Sequence, residues 1–324
     1  MTGSYCTVII PTKNGMPGIQ AVMTTVMDQR TLWKYDVLAI DSGSKDGTVE
    51  YLRALDGVRL VQIPPEEFGH GKTRNRAIAA TEAPFVALLT QDALPANREW
   101  LFNLVSAVEQ NTEIAGAFGR HLACENADPF TKRDLIAHFD GFQKLPRVVS
   151  QQLDPERYEN DVGWRQTLHF FSDNNACLRR SVWERIPYPD ADFAEDQLWA
   201  KSIIENGFSK AYAHEAAVYH SHSYGIWEKL QRSFDEARSF RVYFGYKLSA
   251  GVKSLVQSIL WLIQRDFQDL RSGSVKGVSA GVMIKQIFLN VALVFGHYLG
   301  TNHASIPKKT QFFLSRDKRL QALR

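Results

Sequence analysis

Cysteine is scarce in this chain: Cys6, Cys124 and Cys177 are the three it has, scattered over 324 residues. Thiols so far apart make neither a disulfide framework nor a zinc-binding spacing, and they fit a reduced compartment. Charge of one sign is also missing. Lys and Arg number 38 against 35 Asp and Glu, a net of +3, too little to argue for nucleic acid as a partner. Uninterrupted apolar runs are absent as well. The nearest approach, Val278 to Leu299, is broken by Lys285, Gln286, Asn290 and His297, whereas a spanning helix wants ~20 mostly apolar residues. It reads as a poor membrane span. The N-terminus shows no basic region followed by an apolar stretch, so no signal peptide is expected and the reading is a cytoplasmic protein. No internal repeat or low-complexity tract stands out.

What is present is a globular composition, 44% hydrophobic and 23% charged. Over the first 120 residues, short apolar strands alternate with helical patterns. "CTVIIPT", "DVLAIDSG", "VRLVQIP", "PFVALLTQD" and "IAGAFGRH" read as strands. Helices are expected at 18–30, 47–55, 73–81 and 98–110. Near-continuous apolar strands alternating with helices predict an α/β fold with a mostly parallel sheet covered on both faces. In such sheets ligands bind beyond the carboxyl ends of the strands. Polar residues gather there: Thr12, Lys13 and Asn14 follow Pro11 at the end of the first strand, Asp41 ends the second, and Gln91 and Asp92 the fourth.

Each of these has a local structural explanation. Asp41 before "SGSKDGT" suits an Asx turn, and Asp92 a capped loop. Lys72, Arg74 and Asn75 open a helix after Gly71, where cations and free amides suit phosphate oxygens, though a solvated basic helix face reads the same way. Glu195 and Asp196 stand in the first turn of the helix "FAEDQLWA", where the helix dipole favours acids. His220 and His222 in "VYHSHSY" read as hydrogen-bonded or surface residues.

Taken in order, the segments change that balance. "VIIPTKNG", "AIDSGSKDGT", "FGHGKTRNRA" with "LLTQDALP", "FAEDQLWA" and "VYHSHSY" resemble the inverting sugar-nucleotide glycosyltransferases of family 2, which have the GT-A fold. The likeness is nearest to the bacterial rhamnosyltransferases and runs over roughly residues 5–235. It implies a dTDP-sugar donor, dTDP-rhamnose foremost, and a glycan or lipid-linked acceptor in cell-surface polysaccharide synthesis. Another dTDP- or UDP-sugar, or a non-catalytic nucleotide-sugar-binding protein, stays open as the alternative. The resemblance makes Asp41 a contact of the nucleotide base or ribose. It makes Asp92 a ligand of Mn²⁺ or Mg²⁺ that neutralises the leaving diphosphate. Asp92 matches the last acid of the family's Asp-x-Asp motif, but Thr90 stands where the first would be. His220 or His222 would then complete the ligand set, and imidazole suits Mn²⁺ better than Mg²⁺. Asp196 becomes the catalytic base, aided by Glu195. Asn174, Asn175 and Trp199 fall to the acceptor. The family's Gln-x-x-Arg-Trp motif of processive synthases has no clear copy, since Gln231 and Arg232 have the wrong spacing. Addition of one or a few sugars is expected.

The implied organisation is a catalytic domain over residues 1–240, with a nucleotide-sugar half (1–120) and an acceptor half (121–240). A helical region, 241–324, follows. It opens with an amphipathic stripe, Val252, Leu255, Val256, Ile259, Ile263, Phe267 and Leu270, expected to pack inward. It closes with Lys308, Lys309, Arg316, Lys318, Arg319 and Arg324 around Phe312, Phe313 and Leu314. A basic tail with interleaved aromatics predicts a peripheral, salt-sensitive hold on an anionic membrane surface.

Overall fold

The computed structural model describes residues 3–249 and 251–322; Arg324 of the basic tail lies outside them. The predicted alternation forms: β1 (Cys6–Thr12), α1 (Gly18–Met27), β2 (Tyr35–Asp41), α2 (Thr48–Arg53), β3 (Val58–Gln62), α3 (His70–Ala79), β4 (Phe85–Leu89), β5 (Leu94–Pro95), α4 (Trp100–Glu109) and β6 (Ile114–Leu122). Then follow α5 (Pro129–Gln143), β7 (Val148–Val149), α6 (Pro155–Asn160), α7 (Val162–His169), β8 (Asn175–Arg179), α8 (Arg180–Trp183), α9 (Glu195–Glu205) and β9 (Ser209–Tyr219). The chain ends in helices: α10 (Ile226–Ser239), α11 (Val252–Ser272), α12 (Ala280–Thr301), α13 (Lys308–Leu314) and α14 (Arg316–Ala322).

Two compact units result, 3–124 with 137–220, and 125–136 with 221–322. The first holds a nine-stranded sheet in the order β3-β2-β1-β4-β8-β6-β9-β5, with β7 added on β9. β3, β2, β1 and β4 run parallel, while β8 is antiparallel to both β4 and β6. Strand β1 is buried on both sides, as a strand covered twice must be. Cys6, Val8 and Ile10 join the cluster formed with Ile19 and Met23 of α1 and Leu101 and Val105 of α4. Thr7 points the other way and hydrogen-bonds Thr81, just past α3. The carboxyl ends of β1, β2 and β4 therefore share an edge with the amino end of the reversed β8, through the register Leu89 to Asn175.

The second unit shows why its sequence read as a poor span. Asp266 of α11 is completely buried, paired with Arg133 at 2.7 Å and receiving the Asn290 amide at 2.6 Å. Gln286 in turn donates to Asn290, and His297 lies 3.2 Å from Glu236. Three of the four residues that interrupt the apolar run thus face protein, and two of them, Gln286 and Asn290, satisfy a buried charge. The glycines of α12 face inward too. A Cβ on Gly296 or Gly300 would come within 2.5 Å of Leu230 O or 2.3 Å of Phe234 O, so the backbones of α10 and α12 touch. The outward side carries Ile284, Phe288, Val291 and Phe295, all exposed. Among the described residues α12 is the one helix long and apolar enough to cross a membrane, by length and composition alone. The α11 stripe is also only partly inward: Val252, Val256 and Phe267 face solvent, while Leu255, Ile259, Ile263 and Leu270 are half-buried.

Candidate active site

At the shared edge of the first unit, the loops after β1 and β2 are latched together. Asn14 Oδ1 accepts the Lys45 amide, and the Asn14, Gly15 and Met16 amides donate to Ser44 Oγ, Thr48 Oγ1 and Asp46 Oδ2. The Lys13 ammonium donates to the carbonyls of Ser42 and Gly43, each at 2.7 Å. Asp41 is wholly buried and takes the Gly43 and Ser44 amides on Oδ1, and the Thr12 and Ser44 hydroxyls on Oδ2. Its acceptor capacity is used within the turn. In the structure Asp41 is an Asx-turn residue that shapes the loop after β2. Thr12 is buried beside it, and Pro11 pairs with Ile40 inside the sheet.

Gln91 spans from β4 to this latch. Its carboxamide accepts the Lys13 amide at 2.8 Å and donates back to the Lys13 carbonyl at 3.0 Å. This leaves the adjacent Asp92 held at the edge with its side chain 51% exposed, 3.6 Å from Nε2 of the buried His220. His220 closes edge-on against His121 of β6, at 5.3 Å between ring centres. A half-exposed carboxylate beside an imidazole is a donor pair able to hold a divalent cation. The Thr90 hydroxyl at the first-acid position is buried and has no hydrogen-bond partner among the described residues. His222 is the second residue of the other unit, two along from His220.

Next to these strand ends lies an acid cluster. Ala194, which precedes α9, is held in the left-handed region at φ 60°, a strained setting for a residue with a Cβ. It places Glu195 and Asp196 in the first helical turn. Arg74 of α3 is buried between Glu195 (2.6 Å) and Asp173 (3.1 Å), and the Tyr188 hydroxyl donates to Asp173 at 2.6 Å. Asp196 sits beside this group, taking the Asp173 amide on Oδ2 and the Gln197 amide on Oδ1. Burial pushes the Asp196 carboxyl well above the usual carboxylate range, and the charges of Glu195 and Asp173 push it further. Burial likewise raises Asp173 to about 6, against the pull of Arg74. Burial opposes the charge on Arg74, but Asp173 and Glu195 outweigh it and hold the guanidinium above its ordinary value. A desolvated carboxylate whose proton affinity is raised is what a general base requires.

Several expected contacts are instead structural. Arg74 is consumed by the acid cluster and offers nothing to a phosphate. Asn75 receives Trp183 Nε1 and the Tyr188 amide and donates to the Tyr188 carbonyl. It ties α3 to the segment before α9. Lys72 alone of that trio has an exposed side chain. Asn175 is completely buried, bound to Trp100 and to the carbonyls of Arg120 and Ala216. Trp199 is buried as well, with its indole N–H on the Ile186 carbonyl. Both are packing residues and not acceptor contacts. Asn174 keeps a partly exposed side chain. Sequence reasoning missed Asp173, Tyr188 and His121. "SDNN" before a strand and "PYPD" carry no spacing that marks them, and only the fold brings them beside Asp196 and His220.

Comparison with known proteins follows this geometry. Residues 7–186 match the family described as Glycosyl transferase family 2. The chain is 35% identical over 233 residues to the O-antigen chain rhamnosyltransferase RfbN of Salmonella typhimurium, covering 71% of this chain and 70% of that one. It is 32% identical over 232 residues to the O-antigen chain rhamnosyltransferase WbaN of Salmonella anatum, with the same coverage of 71% and 70%. Among solved structures, the mannosyltransferase PcManGT from Pyrobaculum calidifontis, in complex with GDP-Man and Mn²⁺, aligns with a TM-score of 0.52 at 16% identity, covering 99% of this chain and 81% of that one. S. aureus TarS 1-349 aligns at 0.50 and 15%, covering 92% and 90%.

Proposed function

The chain belongs to glycosyltransferase family 2, and from that premise we propose that it moves L-rhamnose from dTDP-β-L-rhamnose to a hydroxyl of a glycan or lipid-linked acceptor, with inversion. The observation that supports this most directly is Asp196, a desolvated carboxylate fixed at a helix start on the same sheet edge as Asp92. The rhamnosyl specificity rests on the two relatives named above.

In this mechanism the ionised Asp196 carboxylate takes the proton of the acceptor hydroxyl. The freed oxygen bonds to the anomeric carbon from the face opposite the diphosphate. The bond from that carbon to the diphosphate oxygen breaks, and its electron pair leaves with dTDP. Glu195, neutralised by Arg74, keeps α9 and its base in place. Asp92 and His220, with His222 next along the segment, are the residues proposed to hold Mn²⁺ or Mg²⁺. A bound cation there supplies positive charge to the departing diphosphate. Lys72 and the loops that follow β1 and β2 are the proposed donor-binding surface. A lipid-linked acceptor places the enzyme on the inner face of the cytoplasmic membrane.

Titration of dTDP into the protein with and without Mn²⁺, followed by a donor screen reading dTDP release on a glycolipid acceptor extract, tests this reading. Metal-enhanced dTDP binding and release with dTDP-rhamnose support it. Turnover confined to UDP-sugars would overturn the donor assignment.

A further inference from the structure

The second unit keeps an apolar core, with Met283 clustered with Phe130 and Val275, yet α12 also turns large apolar side chains outward. In α12 the polar Gln286, Asn290 and His297 face protein, while Ile284, Phe288, Val291 and Phe295 lie between 37% and 55% exposed. Spacings of four, three and four residues put those four on one stripe, roughly 16 Å long at the helical rise. Helix α11, packed on α12, leaves Val256, Leu260, Trp261 and Phe267 exposed, with Trp261 at 60%. The α13 turn adds Phe312 and Phe313. Exposed large apolar side chains in this number mark a binding face.

Charge identifies what it binds. Residues 241–324 contain 13 Lys and Arg against three Asp, while the whole chain carries a net of only +3. The basic excess is therefore confined to this region, and residues 1–240 are net acidic. Two of the three acids, Asp266 and Asp269, are already paired with Arg133. Within α12 there is no acid at all, and its one Lys, Lys285, is exposed. Lys253 on α11 and Lys308 and Lys309 at the start of α13 are exposed too. An apolar stripe with a surrounding surplus of cations complements an anionic bilayer surface, with apolar side chains below the head groups and lysines among them. A second copy of the same surface would bring like charges together.

We propose that the outward faces of α11 and α12 are a membrane-embedding surface for an anionic bilayer, with the α13 residues as a secondary contact. This deepens the inner-face location proposed above. It assigns the hold to the helix faces, whereas the sequence had pointed to residues beyond 305. It also predicts that binding persists in part at high salt, because the apolar component is not screened.

The test uses the full chain with vesicles of phosphatidylcholine alone or mixed with phosphatidylglycerol, at low and high salt, and without sugar nucleotide. Its outcome is therefore independent of transferase activity. Phe288→Gln with Phe295→Gln, and separately Ile284→Gln with Val291→Gln, change only exposed side chains; circular dichroism and the thermal midpoint check the fold. Each pair should lower partitioning onto anionic vesicles by at least ~10-fold. Lys308→Gln with Lys309→Gln should weaken only the salt-sensitive part. Failure of the unaltered protein to bind anionic vesicles at low salt overturns the proposal. So does binding by both stripe variants equal to the unaltered protein, or a stripe whose substitution dissociates a dimer in light scattering and leaves vesicle binding as before.

Discussion

Asp196 Oδ2 accepts the backbone N–H of Asp173 at 3.4 Å, which couples the first turn of α9 to the segment entering β8. A carboxylate held this way changes its proton affinity without changing its place. That separation of position from charge shapes the experiments below.

Asp196→Asn keeps the shape, retains one of the two accepted backbone hydrogen bonds and removes the proposed base. Transfer should fall by ~10²–10⁴-fold. Calorimetry should find dTDP affinity within a factor of a few of the unaltered enzyme, because the proposed base acts on the acceptor. Near-normal turnover would reduce Asp196 to a residue of the helix start.

The raised proton affinity of the cluster fixes the pH dependence. The proposed base acts only when ionised, so kcat/KM should rise with pH along a limb lying above the ordinary carboxylate range. Asp173→Asn removes one of the charges that raise Asp196 and frees more of the Arg74 charge to lower it. The limb should shift to lower pH, a change that loss of structure alone does not produce. Stability has its own sign. Asp173 is raised to about 6 in the folded state, so its favourable contribution is complete below its unfolded value of about 4 and is lost as pH rises through about 6. Denaturant midpoints for Asp173→Asn should be flatter across that interval.

Arg74→Met would leave Asp173 and Glu195 buried without their cation. Breaking a buried pair from one side typically costs ~3–5 kcal/mol. Urea unfolding should show a loss of that order at pH 8 and a smaller one at pH 5, where the orphaned carboxyls take up protons.

Asp92→Asn should weaken Mn²⁺-dependent binding of dTDP and leave the metal-free affinity close to unchanged. Chelation with EDTA should bring the unaltered protein to the level of the variant. If calorimetry gives the same Mn²⁺ enhancement in both, Asp92 is not a ligand.

The sheet was legible because its strands are continuous apolar runs whose polar ends coincide with the carboxyl edge; Thr12, Asp41 and Asp92 announce that edge by themselves. What each polar residue does there was not legible. Asp41 and a phosphate-facing Arg74 read as ligand contacts because sequence shows a side chain's type, while its partners come from elements up to 121 positions away, as in Arg74 to Glu195. Asp173 and Tyr188 escaped notice for the same reason. In the second unit the limit was different. The polar breaks in α12 argued against a spanning helix, but periodicity could not show that Gln286 and Asn290 serve the buried Asp266 while apolar residues face outward.

The glycine contacts of α12 set a constraint on how this chain can vary. With Gly296 and Gly300 seated against the α10 backbone, the helix is keyed in rotation as well as in distance. A single residue inserted between Phe288 and Gly296 would turn the upstream half by about 100°. That would swing Ile284 and Phe288 off their side and pull Gln286 from the buried pair it serves. Insertions and deletions should therefore be tolerated in the 273–279 connection and excluded within α12, whereas the four outward side chains are free to exchange among large apolar residues.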